Sequence, residues 1–561
     1  MRISRIALTL AVLAPMGLAA QEDVKKQLDE LKKQVAVLEE KSRDQEKTLV
    51  KVETKVAQDN ISWGGDLRTR FDSAKWHFKP YQQFMGFVQN PSPSASNPYP
   101  FMPMAQQVGE QDYDNSTQWS TRLRLRMGMA IGEHGKIFGR LTMYKIHGGA
   151  DVPIFNGSPN TVQNSFNSGK VPGNDTLKVE RASFVYDWPA LGVLSIGRQN
   201  TSDGPPFEVR EGGERQATPQ ALAVNAMVDG IGWKFHLDKL GFPEHSLLGL
   251  CYGVGYESGF GGGGLVKSTY APVGFNFTNA TMANPAGAAM QVNRIGNLKD
   301  STVLGAMLDI PLLFEGLGTV HSANFYLGFN RFGNMTDIPF GELNNFPVPA
   351  QPGMGGMPSI QYVTATNNLG DMDQVTATWK HKIGDSFTYF ASFGSIKSNP
   401  NGRTSQYGAY WDMPAAMGGA NYQLTGFGGL LGDANKSQTA TAYYVGARWD
   451  VKDNLGFGLE FNHGSPKWFT YSPATGEATE KLSTRGDVIE AYVHWEFVKN
   501  VALRVGYLDY KYTHAFSGWH IAPAPMSGTW ENAYDLNNNP MLQYAAPSGI
   551  KNTYVSLEVK F

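Results

Sequence analysis

The sequence predicts an all-β transmembrane fold: an antiparallel outer-membrane β-barrel of about sixteen strands, preceded by an N-terminal α-helical coiled coil. Three observations predict it. Apolar and polar residues alternate with period two through most of the chain after Asn60. The connections between those stretches are short and long in strict turn, as the two rims of a membrane barrel require. The 561 residues include 63 Gly, 12% aromatic and only 17% charged residues, against roughly 25% charged in an average soluble domain.

The chain opens with MRISRIALTLAVLAPMGLAA, residues 1–20, where two arginines precede an apolar run and then small residues. That order reads as a signal peptide, too short and wrongly flanked for a membrane helix, with cleavage after Ala19 or Ala20. No later run of about 18 uninterrupted apolar residues follows, so a membrane-spanning mature chain must satisfy its backbone in a barrel.

Residues 21–58 are the coiled-coil candidate. Core-type positions fall at Val24, Leu28, Leu31, Val35, Leu38, Ser42, Gln45, Leu49, Val52 and Val56, with spacings alternating between four and three. Such a helix leaves an apolar stripe in water unless it associates. Val35 and Val56 over Leu31 and Leu38 point to a dimer, while Leu28 and Leu49 blur that preference.

The barrel domain is expected over 61–561. Its strand-like stretches are 61–73, 117–132, 137–147, 177–188, 192–199, 228–238, 246–258, 301–311, 319–331, 372–382, 386–397, 439–450, 455–463, 486–497, 501–513 and 551–561. Tight connections such as Glu133-His134-Gly135-Lys136 and Val498-Lys499-Asn500 alternate with long ones such as 74–116, 259–300 and 514–550. In the last stretch Val555, Leu557, Val559 and Phe561 share one face, and Tyr554, Ser556, Glu558 and Lys560 the other. A terminal aromatic preceded by apolar residues at every second position resembles the assembly signal of outer-membrane barrels.

The same alternation sorts the charges. Trp63, Leu67 and Phe71 face outward, which turns Asp66, Arg68 and Arg70 to the lumen; Trp119, Leu123, Leu125 and Met127 do the same for Arg122, Arg124 and Arg126. The opposite assignment places arginines in hydrocarbon at about 2–4 kcal/mol each near the midplane. Arg140 and Arg181 extend this wall, and Glu460, Glu490, Glu496 and Glu558 turn inward across the closing seam. A cationic wall facing acids creates a transverse field that steers polar solutes. The alternative is a static ladder of salt bridges filling the barrel.

The third outer loop contains QNTSDGPPFEVREGGERQATPQ. There Glu208, Arg210, Glu211, Glu214 and Arg215, set among Pro and Gly pairs, are candidates for a constriction folded into the pore. A solvated surface loop is the alternative.

Other classes find little support. A net charge of -2, from 48 basic and 50 acidic residues, supplies no surplus for neutralising nucleic-acid phosphates. Cys251 is the sole cysteine, which excludes an intrachain disulfide, CxxC redox chemistry, CxxCH haem attachment and a multi-cysteine zinc site. Neither GxSxG, HExxH nor a P-loop occurs, so no enzyme activity and no cofactor is expected. Arg-Gly-Asp at 485–487 reads as a strand-entry turn.

The order of leader, coiled coil and a first strand reading WGGDLRTRFD resembles porins with an N-terminal coiled coil. LTMYK at 141–145 and SIGRQNTSDGPP at 195–206 are similar to a proteobacterial outer-membrane family of unknown function. The resemblance implies a porin-like barrel and a homotrimer, with no established substrate or catalytic residue. The combined expectation is a passive, weakly anion-preferring channel for small polar solutes in the outer membrane. Its partners are membrane lipid and, through a periplasmic coiled coil, peptidoglycan or a periplasmic protein. The alternatives are a scaffold barrel that tethers the envelope or sheathes an electron-transfer partner, and, third, a surface adhesin.

Overall fold

The computed structural model describes residues 61–89 except 79, 101–147, 177–200 except 190, 209–210, 222, 224, 227–256, 268–276, 289–296, 299–336 except 317, 342–348, 359–364, 368–403, 410–412, 421–423, 430–470 except 469, 481–514 and 547–561, with 32, 33, 35 and 41 ahead of them. The chain divides into two units, Met1–Ser62 and Trp63–Phe561. In the first, Lys32, Lys33, Val35 and Lys41 are helical and exposed; the leader, its cleavage site and the rest of the expected coiled coil lie outside the described residues.

Sixteen strands close into one barrel in which sequence neighbours are wall neighbours. They are β1 (Ile61–Phe78), β2 (Gln111–Ile131), β3 (Gly135–Ile146), β4 (Lys178–Trp188), β5 (Gly192–Asn200), β6 (Met227–His236), β7 (Leu247–Tyr256), β8 (Ser301–Gly316), β9 (Thr319–Thr336), β10 (Asn368–Ile383), β11 (Phe387–Pro400), β12 (Thr439–Lys452), β13 (Leu455–Gly464), β14 (Gly486–Val498), β15 (Val501–Tyr512) and β16 (Pro547–Lys560). Each predicted stretch becomes one strand, although β1, β2, β8 and β9 run well beyond their expected ends.

Antiparallel pairing of β1 with β16 closes the ring and brings Asp66 opposite Lys560, Arg68 opposite Glu558 and Phe71 opposite Val555. The two glycines of the first strand have a reason. Gly65 exchanges backbone hydrogen bonds with Phe561, and a Cβ on Gly65 would lie 2.5 Å from the Arg124 carbonyl and 2.7 Å from the Phe561 ring. The Arg-Gly-Asp strand entry is likewise structural. Gly486 adopts φ +128°, and a Cβ there would meet the Lys511 carbonyl at 2.1 Å.

One face of the wall is apolar and exposed. Trp63, Leu67 and Phe71 on β1, Phe457 and Leu459 on β13, and Val555 and Leu557 on β16 all lie on it. Aromatic residues gather toward the turn end, where Trp188 stacks on Trp233 with centroids 5.4 Å apart and Trp495 sits 5.4 Å from Phe497. Others lie toward the loop end, where Phe71 stacks on Trp119 at 5.6 Å and Tyr443 on His463 at 5.1 Å. Two aromatic rows flanking an apolar band are what a bilayer's two interfaces select.

The long connections hold more structure than expected. Tyr81–Gln89 pairs with Phe101–Val108, and Glu342–Val348 with Ser359–Thr364. Strands Ser268–Asn276 and Ala289–Gly296 of one loop join Tyr410–Asp412 and Asn421–Gln423 of another in a four-stranded sheet. These loops therefore associate with one another through backbone hydrogen bonds.

The inner face departs most from expectation. A polar lumen was predicted, yet an apolar core fills part of it. Val303, Phe332, Met372, Phe390, Ile396 and Tyr444 from β8 to β12 pack with Val209, Leu222 and Val224 of the third loop, Leu430 and Leu431 of the sixth, and Trp468 and Leu482 of the seventh. A second cluster joins Trp76, Leu508, Tyr510 and Ile550 along β1, β15 and β16. Loop residues carry no period, so nothing in the strand alternation announces that they will cover these inward apolar side chains.

Candidate functional site

The arginine wall forms on β1 to β4. Asp66, wholly buried, accepts hydrogen bonds from Arg122 Nη2 at 3.0 Å and Arg124 Nε at 2.8 Å, with Arg126 Nη2 at 3.5 Å. Three guanidiniums thus share one carboxylate. Their exposure rises down the strand, from 9% for the Arg122 side chain to 17% for Arg124 and 43% for Arg126. Arg70 forks onto Asp72 at 2.8 Å and lies over the Tyr554 ring at 3.9 Å, while Asn552 donates to the same aspartate. Arg68 is buried opposite Glu558, which also lies 3.6 Å from Arg122 and 3.8 Å from Arg504.

Arg126, Arg140 and Arg181 are register partners across β2, β3 and β4. Register shifts on β4 beside Arg140, so that Glu180 and Arg181 stand where a regular strand has one inward residue. Arg140 donates to Glu180 at 2.7 Å, and the Arg181 guanidinium lies 5.6 Å from the centre of the Phe138 ring. Glu180 was not predicted, because strict alternation cannot place both residues inside.

The predicted acids divide into different roles. Glu496 accepts from the Asn500 backbone N–H at 2.8 Å and so braces a turn at the barrel rim. Glu460 and Glu490 are buried on β13 and β14, where Lys481 of the seventh loop donates to both. Tyr444 donates to Glu460, and Tyr554 to Glu490 at 2.7 Å. Arg210 Nη1 reaches Glu490 at 3.2 Å, and Arg448 Nη1 on β12 donates to the Val209 carbonyl at 3.2 Å. These acids are therefore neutralised by nearby cations and do not face the arginine wall across open water.

The Arg210 contact fixes the course of its loop. The third loop leaves β5 and returns to β6, whereas Glu490 lies on β14, about halfway round the ring. Arg210 therefore lies against the wall across the lumen from the two strands that carry its loop. Glu208, Glu211, Glu214 and Arg215 lie outside the described residues.

The inner face on β5 to β8 is different again. Gly230, Gly232, Gly249, Gly253 and Gly305 lie on it, and Cys251 among them is exposed. The glycines leave room that neighbouring long side chains use, since a Cβ on Gly249 would lie 3.3 Å from Met307 Cε and 3.8 Å from Lys234 Cγ. Among the described residues no cluster of His, Cys, Asp or Glu could hold a metal ion.

A profile described as a protein of unknown function, DUF3373, matches residues 112–561. The chain belongs to that family. Among curated proteins nothing matches. Three solved structures illustrate the likeness of this DUF3373 member to outer-membrane proteins. The channel DcaP of Acinetobacter baumannii is 11% identical, with a TM-score of 0.36 over 89% of this chain and 97% of that one. An anion-selective porin from Comamonas acidovorans is 9% identical, with a TM-score of 0.39 over 89% and 99%. OprB of Pseudomonas putida is 9% identical, with a TM-score of 0.37 over 91% and 96%. At this distance none of these likenesses bears on residues or function.

Proposed function

We propose that the protein is an outer-membrane channel for small polar solutes with a preference for anions. The observation that carries the reading is the sharing of Asp66 by Arg122, Arg124 and Arg126 on the inner face of a barrel whose outer face is apolar. β1 to β4 bring seven inward arginines, Arg68, Arg70, Arg122, Arg124, Arg126, Arg140 and Arg181, against the carboxylates Asp66, Asp72 and Glu180 of the same strands and Glu558 of β16. That excess draws anions into whatever aqueous path remains. Residues 21–58 serve in the periplasm as the oligomerising coiled coil of a homotrimer, where they meet peptidoglycan or a periplasmic protein. Reversal potentials in a salt gradient across planar bilayers test the selectivity. A cation-selective channel would refute the assigned role of the arginine wall.

The apolar core of the lumen favours a second reading, a scaffold barrel that conducts nothing. A lumen occupied by its own loops also leaves little room for an inserted electron-transfer protein, which weighs against the sheath. Purified oligomer that inserts into bilayers without conductance would favour the scaffold.

A further inference from the structure

Glu490 holds cations from two loops that are far apart in sequence. Arg210 belongs to the third loop and Lys481 to the seventh, and both donate to this one carboxylate. All three side chains are almost completely buried. Tyr554 Oη takes part of the remaining capacity of the carboxylate at 2.7 Å, and Lys481 is shared with Glu460, itself bonded by Tyr444. The loops also meet directly, since Thr470 of the seventh donates to the Leu222 carbonyl of the third, and Trp468 and Leu222 share the apolar core. Among the described residues this cluster sets two carboxylates against two cations. A buried network of this kind is costly to break by removing one member, because the others are left unpaired.

We propose that Glu490 is a positioning residue that locks the third and seventh loops into a single plug, so that the two loops leave the lumen together. Removing its charge takes from Arg210 and Lys481 the one carboxylate they share, and the two loops part from the wall. The aqueous path then widens on the β13–β14 side, opposite the glycine-lined arc. The inference rests on the channel reading only for its electrical readout.

The experiment compares wild type with Glu490→Gln, Glu490→Asp, Arg210→Met and Lys481→Met in barrels whose heat-modifiable gel migration shows that they are folded. Proteinase K cleavage of the two loops is mapped by mass spectrometry, and single-channel conductance is measured in parallel. Glu490→Gln is expected to open both loops to cleavage and raise conductance by about twofold, because a sixteen-stranded barrel is wide enough for an aqueous channel once its plug withdraws. Glu490→Asp retains the charge and restores protection. Lys481→Met, a change in one loop, raises cleavage in the other. If Glu490→Gln does not fold, Arg210→Met and Lys481→Met carry the test, each predicted to expose both loops. Protection of either loop in the folded Glu490→Gln barrel, or loosening confined to the mutated loop, overturns the inference. Cleavage that changes in a protein that never conducts sinks the channel reading and leaves the plug intact.

Discussion

Replacing Asp66 by Asn keeps the size of the side chain and removes the one carboxylate shared by three arginines. Leaving a buried charge without its partner costs about 3–5 kcal/mol. The lower end applies here, since Arg126 is 43% exposed and water takes over part of its pairing. The same change adds one positive charge to the lumen wall. At roughly 8 Å from the middle of a water-filled path, a unit charge is worth about 0.5 kcal/mol, and screening at 0.1 M salt roughly halves this. Raising anions and lowering cations by that amount changes the anion-to-cation permeability ratio by about twofold. Urea titration of the heat-modifiable form reads the stability, and reversal potentials in a salt gradient read the selectivity. An Asp66→Asn barrel with an unchanged urea midpoint and an unchanged reversal potential would refute both the burial and the electrostatic parts of the reasoning.

Cys251 offers a chemical probe of the glycine-bearing arc: charged methanethiosulfonate reagents should reduce conductance, the anionic reagent faster than the cationic one, and Cys251→Ser should abolish the effect. Equal rates would count against an anion-drawing lumen. Gly65→Val pushes a branched side chain onto the Arg124 carbonyl and the Phe561 ring, so the heat-modifiable fraction should fall sharply, and normal assembly would show that the closing seam tolerates the clash. Trp468→Ala empties the centre of the plug and should cost about 3–5 kcal/mol. A loss below 1 kcal/mol would place Trp468 outside a packed core.

The wall was legible in the sequence because membrane strands obey one rule, apolar outward and everything else inward. That rule turns Asp66, Arg68, Arg122 and Glu490 inward, and all four are buried. Asp72, Arg504 and Tyr554 follow the same parity and were open to the same reasoning. Glu180 was not, because a bulge inserts one residue into the count and flips the parity beyond it. Lys481 and Trp468 were out of reach for another reason. They sit in a loop, where no periodicity says which side chain turns inward, and their partners are fixed only once the ring has closed. Strand alternation therefore reveals the acids Glu460 and Glu490 but not the cation that neutralises them. Of the five candidate constriction residues, Arg210 alone lies among the described residues, and it reaches the far wall.

The plug also bears on how the chain reaches its final state. Its defining contacts join residues 280 positions apart for Arg210 and Glu490, and 248 apart for Thr470 and Leu222. Contacts of such separation come late and slowly, after much loop-closure entropy has been spent. Until they form, Trp468, Leu222, Phe390 and Ile396 present an oily surface inside a half-built ring, open to neighbouring chains. Weakening the plug should therefore show first as a lower yield of correctly assembled barrels and a greater dependence on holdase chaperones, ahead of any change in the finished molecule.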